Sequence, residues 1–122
     1  MFQDIPYPQG RTVLEAGCSD GLVCDILAHS GAAKIVGIDV MKTVGCSFRH
    51  DRIDYRMMDV ERIDFPDQSF DIAYSIATFE HLGKPYNALL EMLRVTKIGG
   101  YVYIQAGPLY YSPFGHHMFP YF

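Results

Sequence analysis

At 122 residues, with 49% apolar and 20% charged side chains, the chain has the size and make-up of one globular domain around one core, which excludes disordered and fibrous classes. The formal net charge of -4 gives no long-range attraction to nucleic-acid phosphates, and the one basic cluster, Arg49, Arg52 and Arg56, is interleaved with Asp51 and Asp54 as on a solvated face. No apolar run approaches the roughly 20 residues that cross a bilayer, so no membrane partner is expected. Cys18, Cys24 and Cys46 lack C-x-x-C spacing and follow no signal-like segment, which leads to an expectation of reduced thiols and a cytoplasmic location.

In chain order, short β-branched runs alternate with helix-like segments, the pattern of strand-helix-strand units around a parallel sheet. Thr12–Ala16 reads as the first strand. After Gly21, residues Leu22, Val23, Ile26 and Leu27 recur at helical spacing, and His29, Ser30 and Gly31 form a helix exit with glycine at the left-handed position. Lys34–Asp39 reads as a second strand and residues 53–58 as a third, with room for only a short helix within residues 41–50. Phe70–Ile76 is expected as strand four, Pro85–Val95 as a helix with proline in its first turn, and residues 101–105 as strand five. Gly99 and Gly100 are expected to stop that helix. There is no internal repeat and no linker. From residue 107 onward an aromatic tail carries Tyr110, Tyr111, Phe114, Phe119, Tyr121 and Phe122, and needs a surface to pack on.

The strongest chemical signal is Val13-Leu14-Glu15-Ala16-Gly17-Cys18-Ser19-Asp20-Gly21, a strand entering a glycine-flanked turn that opens a helix. Glycines admit close backbone approach to a ligand, and open α/β sheets bind ligands at the carboxyl ends of their strands. A dinucleotide fingerprint is disfavoured, because Ser19 and Leu22 stand where its second and third glycines belong, and the Gly-Lys-Ser/Thr ending of a P-loop is absent. Asp39 closes the second strand, where a carboxylate can accept hydrogen bonds from both hydroxyls of a ribose.

Glu15 to Gly21, Asp39, Met58-Asp59-Val60, Phe65-Pro66-Asp67-Gln68-Ser69-Phe70-Asp71, Glu80-His81-Leu82 and Lys97-Ile98-Gly99-Gly100 follow one another in the order seen in class I methyltransferases. In this ordered set the chain resembles the small-molecule, type 11-like members of that family, which use S-adenosylmethionine. The resemblance implies an α/β fold: a Rossmann-like three-layer sandwich with a mainly parallel sheet of order 3-2-1-4-5, lacking the family's C-terminal hairpin. It implies that residues 1–122 are a single, truncated S-adenosylmethionine-binding core, with residues 107–122 as an aromatic tail. It also implies cofactor contacts. Glu15 and Gly17 would line the methionine end, with Cys18 as a small side chain beneath the cofactor and Ser19 in place of the family's middle glycine before Gly21. Asp39, with Val40 beside it, would hold the ribose. Asp59 would meet the adenine amino group, and Val60 would stack or offer backbone to the base. Residues 75–79, from Ser75 to Phe79 after strand four, would lie near the sulfonium and substrate, while Glu80 and His81 would brace the loop.

Transfer of a methyl group from a sulfonium is an in-line displacement with a neutral leaving group, so positioning and water exclusion supply much of the acceleration and no catalytic residue is named. Where the acceptor needs a base, His81, His116 and His117 titrate in the right range. The adjacent His116-His117 pair lacks a third ligand at suitable spacing, so no metal is expected. The expectation is an S-adenosylmethionine-dependent methyltransferase with a small-molecule acceptor. The alternative is a non-catalytic binding module that acts through cofactor or protein contacts. Strand five, apolar and without lysine or proline, would form an open edge unless the aromatic tail folds over it, a second copy pairs with it as a homo-oligomer, or further strands cover it.

Overall fold

The computed structural model describes residues 8–76 and 82–105, together with the backbone of residues 116–120. Among the described residues, eight elements follow in order: β1 (Thr12–Ala16), α1 (Leu22–His29), β2 (Lys34–Asp39), β3 (Ile53–Met57), β4 (Phe70–Ile76), α2 (Pro85–Val95), β5 (Thr96–Gln105) and β6 (His116–Pro120). The sheet order is β3-β2-β1-β4-β5-β6, parallel throughout except for the last pair. The five parallel strands and their 3-2-1-4-5 order are those expected. The order reverses between β1 and β4, which creates a crevice at their carboxyl ends.

Alternation along the strands builds the three layers. On β1, Leu14 and Ala16 join Val36, Ile38, Ala73, Val102 and Ile104 under Ala88, Met92 and Val95 of α2. Val13 joins Ile35, Ile72, Tyr74 and Tyr103 under Cys24, Leu27 and Ala28 of α1 on the other face. Strands buried on both faces read as continuous apolar runs, which is why β1, β2 and β4 are legible without a period of two. Helix α1 ends as its sequence predicts: Gly31 has φ +94°, and its N–H donates to Ala28 O while Ala32 N–H donates to Leu27 O.

Three expectations are corrected. Residues 41–50 form turns and no helix. Helix α2 stops at Val95, before either glycine, because Thr96 turns extended and its hydroxyl donates to Met92 O at 2.6 Å. Gly99 and Gly100 lie inside β5, which is longer than expected. Phe70 faces Thr96 and Ile72 faces Tyr101, so residues 97–100 loop out opposite Asp71 alone. Gly100 is pressed there against the carbonyls of Asp71 and Lys97, and a side chain would collide with that backbone. The Asp71 carboxylate pins the bulge to β1, accepting from Thr12 N–H at 2.8 Å and pairing with Lys97 at 3.3 Å.

The edge of β5 is closed by the chain's own tail. β6 pairs antiparallel with it, from Tyr101 opposite Pro120 to Gln105 opposite His116. Of the covers that the open edge called for, the structure shows the tail, so the edge expected to take a second copy is occupied. Met118→Pro removes a donor from the middle of this strand and is poorly tolerated in a ladder. That variant is expected to self-associate in light scattering and to exchange the β5 amides faster than the parent chain. Unchanged scattering and unchanged exchange would show that β6 does not guard the edge.

Candidate cofactor site

After Ala16 the chain turns through three residues of positive φ: Gly17 at +81°, Ser19 at +53° and Gly21 at +104°. This conformation orients a run of backbone N–H groups inward. Those of Gly17 and Cys18 both donate to Ile38 O, at 2.8 and 2.9 Å, and that of Ser19 donates to Asp39 Oδ2 at 2.9 Å. Ser19 tolerates a left-handed backbone that costs a non-glycine residue about 1–2 kcal/mol, and its bond to a carboxylate offsets that cost. Gly21 is the N-cap of α1, so the turn leads directly into the helix.

Asp39 is thereby held from two sides, because Met41 N–H donates to its Oδ1 at 3.1 Å. Each carboxylate oxygen keeps a lone pair for a further donor. The carbonyl of Asp39 accepts from Met58 N–H at 2.8 Å, which brings the end of β3 alongside. There Asp59 caps its own turn, with Oδ1 accepting from Glu61 N–H at 2.8 Å. Arg94 of α2 fastens the segment that follows: it donates to Ile63 O at 2.7 Å and Phe65 O at 2.9 Å, and pairs with Asp67 and Glu91 at 2.8 Å. The hydrogen bond from Arg94 holds the Glu91 carboxyl below its ordinary range, and Glu91 in turn accepts from Ile63 N–H at 2.8 Å.

Among the described residues, two buried polar atoms at the crevice have no hydrogen-bond partner, Glu15 Oε2 and Ser75 Oγ. Glu15 is 1% exposed at the end of β1, and Ser75 is fully buried near the end of β4. Burial pushes the Glu15 carboxyl well above the ordinary 4.5, and Cys18 and Asp39 add to that push, while a backbone hydrogen bond from Ile76 opposes it. A buried acid with a free acceptor fits a ligand that brings a hydrogen-bond donor or a positive charge.

The structure thus gathers Glu15, Gly17, Ser19, Gly21, Asp39 and Asp59 at the carboxyl ends of β1, β2 and β3. Cys18 is buried beneath the turn, where its Sγ and that of Cys24 both crowd Gly37. Val40 is exposed, whereas the Val60 side chain lies in the core, which leaves only its backbone for a base. Ser75 lies within β4 and not after it. Phe79, Glu80 and His81 lie outside the described residues, and His116 and His117 occupy successive positions of β6. Sequence reasoning missed Arg94 and Glu91, whose i,i+3 spacing looks like any surface pair, and it missed Tyr55, which reads as an ordinary strand residue.

The methyltransferase-domain family model matches residues 14–104. The chain belongs to this family. It is 32% identical over 93 residues to a probable S-adenosylmethionine-dependent methyltransferase of Mycolicibacterium smegmatis, covering 75% of this chain and 36% of that protein. It is 30% identical over 99 residues to a ubiquinone biosynthesis O-methyltransferase of Maricaulis maris, covering 75% of this chain and 39% of that one. The fold is similar to that of an S-adenosylmethionine-dependent methyltransferase from Mesorhizobium loti, with a TM-score of 0.77 at 23% identity over 84% of this chain and 48% of that structure. The methyltransferase domain described here therefore spans less than half the length of these relatives.

The strained acid yields a pH signature. Because the folded carboxyl of Glu15 lies above its unfolded value, the native state keeps a proton that the unfolded chain releases, so this residue lowers stability as pH rises above about 4.5. Glu15→Gln is expected to melt at higher temperature than the parent chain, by a margin that grows as pH rises above about 4.5. Melting curves that coincide over that range would contradict the assignment of Glu15 as a buried, unpaired acid.

Proposed function

We propose that this chain is the cofactor-holding half of an enzyme that transfers a methyl group from S-adenosylmethionine to a small-molecule acceptor in the cytoplasm. The observation that carries the reading is Asp39, with its carboxylate gripped by the N–H groups of Ser19 and Met41 at the mouth of the glycine turn and with acceptor capacity to spare. Asp39 holds the ribose hydroxyls. Glu15 and Gly17 take the methionine end, where the free Glu15 Oε2 suits an ammonium group. Asp59 receives the adenine amino group, with the Val60 backbone and the exposed Val40 flanking the base. Ser75 stands nearest the reacting end. When bound, the cofactor supplies a sulfonium methyl whose in-line transfer leaves a neutral thioether.

The residues of this chain serve that chemistry by placement. The turn and Asp39 fix one end of the crevice, and the Arg94 network keeps the Asp59 segment rigid, which is the kind of preorganisation that lowers a barrier set by orientation. The carboxylates of Asp39 and Asp59 complement a cationic ligand. The likeness to the Maricaulis maris O-methyltransferase supports a small-molecule acceptor, and the free thiols of Cys18, Cys24 and Cys46 support a reducing compartment.

Isothermal titration tests the cofactor. S-adenosylhomocysteine is expected to bind and NAD is not. Asp39→Ala is expected to weaken binding more than tenfold, on the order of 1.5–3 kcal/mol for two lost hydrogen bonds to a carboxylate. Asp59→Asn should weaken it less, since the amide still offers an oxygen. Binding that is unchanged in Asp39→Ala would overturn the ribose assignment.

A further inference from the structure

Three glycines of the site converge on one side chain. A Cβ built on Gly21, Gly37 or Gly45 would fall 3.0 Å or less from Tyr55. Gly21 and Gly45 have positive φ, +104° and +66°, so their backbone alone accounts for glycine. Gly37 does not. It lies in the middle of β2, paired with Glu15 on one side and Tyr55 on the other, where glycine weakens a strand by roughly 0.5–1 kcal/mol. Its missing side chain is explained by what occupies the space: Tyr55 Cδ1 at 3.0 Å, with Cys18 Sγ and Cys24 Sγ at 2.9 and 2.8 Å.

Tyr55 also has polar ties on both sides of the turn. Its hydroxyl donates to Phe48 O and lies 3.5 Å from Gly21 O, and Arg49 stacks over its ring at 5.7 Å. The segment that Phe48 belongs to closes directly on the glycine turn, since Gly45 N–H donates to Ser19 O at 2.8 Å and Ser47 N–H to Asp20 O at 3.3 Å. The same segment begins at Met41, whose N–H orients Asp39. The ring therefore plugs a socket whose walls are the turn, the middle of β2 and the segment that follows it.

We propose that Tyr55 is a positioning residue: seated among Gly21, Gly37 and Gly45 and bonded to Phe48 O, it clamps residues 41–48 onto the glycine turn and so holds Ser19 and Asp39 in ligand-binding geometry. It touches no reacting atom. It acts through the turn, and its consequence for the cofactor rests on the reading of that turn as the S-adenosylmethionine site.

Tyr55→Phe tests this, because it keeps the ring in the socket and removes only the hydroxyl. Amide exchange at Gly45 and Ser47 is expected to accelerate at least tenfold while Val36 and Ile72, in the central strands, exchange as in the parent chain. The dissociation constant for S-adenosylhomocysteine is expected to rise five- to twentyfold with little change in melting temperature. Unchanged exchange at Gly45 and Ser47 would overturn the clamp, and so would an acceleration spread evenly over the central strands, which marks a structural residue. Failure of the parent chain to bind S-adenosylhomocysteine would sink the cofactor reading, and the exchange pattern would still decide whether Tyr55 holds the turn.

Discussion

The hydrogen bond from Ser19 N–H to the Asp39 carboxylate joins two strand ends that would otherwise share only a ladder. It ties the turn after β1 to the end of β2 and orients a carboxylate without a second side chain. Gly17 and Cys18 reinforce it through Ile38 O, and Met58 N–H extends it to β3 through Asp39 O. Backbone donors do most of this, so the site is built from chain geometry, and its residues need be only small, left-handed or acidic at the right places. That economy suits a family that carries one cofactor past many acceptors.

Much of the architecture was legible in the sequence because the central strands are buried on both faces. VLEA, KIVGID and FDIAYSI are apolar runs too short for helices, and the first two end at glycine or charge. The turn was legible because glycines at 17 and 21 have a conformational reason visible beside an adjacent helix pattern. What escaped was set by tertiary contact. Nothing local says that Thr96 ends α2 through Met92 O, that Gly100 is required by the approach of the Asp71 carbonyl, or that a tail rich in aromatics returns as a strand on β5. Tyr55 and Gly37 are the sharpest case, since each looks unremarkable alone and they make sense only together.

The domain keeps a destabilising feature where its function is read. Among the described residues, Glu15 is buried with one oxygen unpartnered, beside Cys18 and Asp39, in a sheet whose other buried central positions are apolar apart from Ser75. An apolar residue there would serve folding better. The burial of such an acid at the crevice between β1 and β4 is what the proposed role of Glu15 at the cofactor calls for, and it agrees with the left-handed strain retained at Ser19.

The central claim is that the carboxyl ends of β1, β2 and β3 form one binding surface for S-adenosylmethionine. Amide chemical-shift mapping during titration with S-adenosylhomocysteine tests it most directly. The account predicts that shifts concentrate at Gly17, Ser19, Gly21, Met41 and Met58. Shifts confined to the opposite end of the sheet, around Gly10, Lys97 and Gly99, would contradict it.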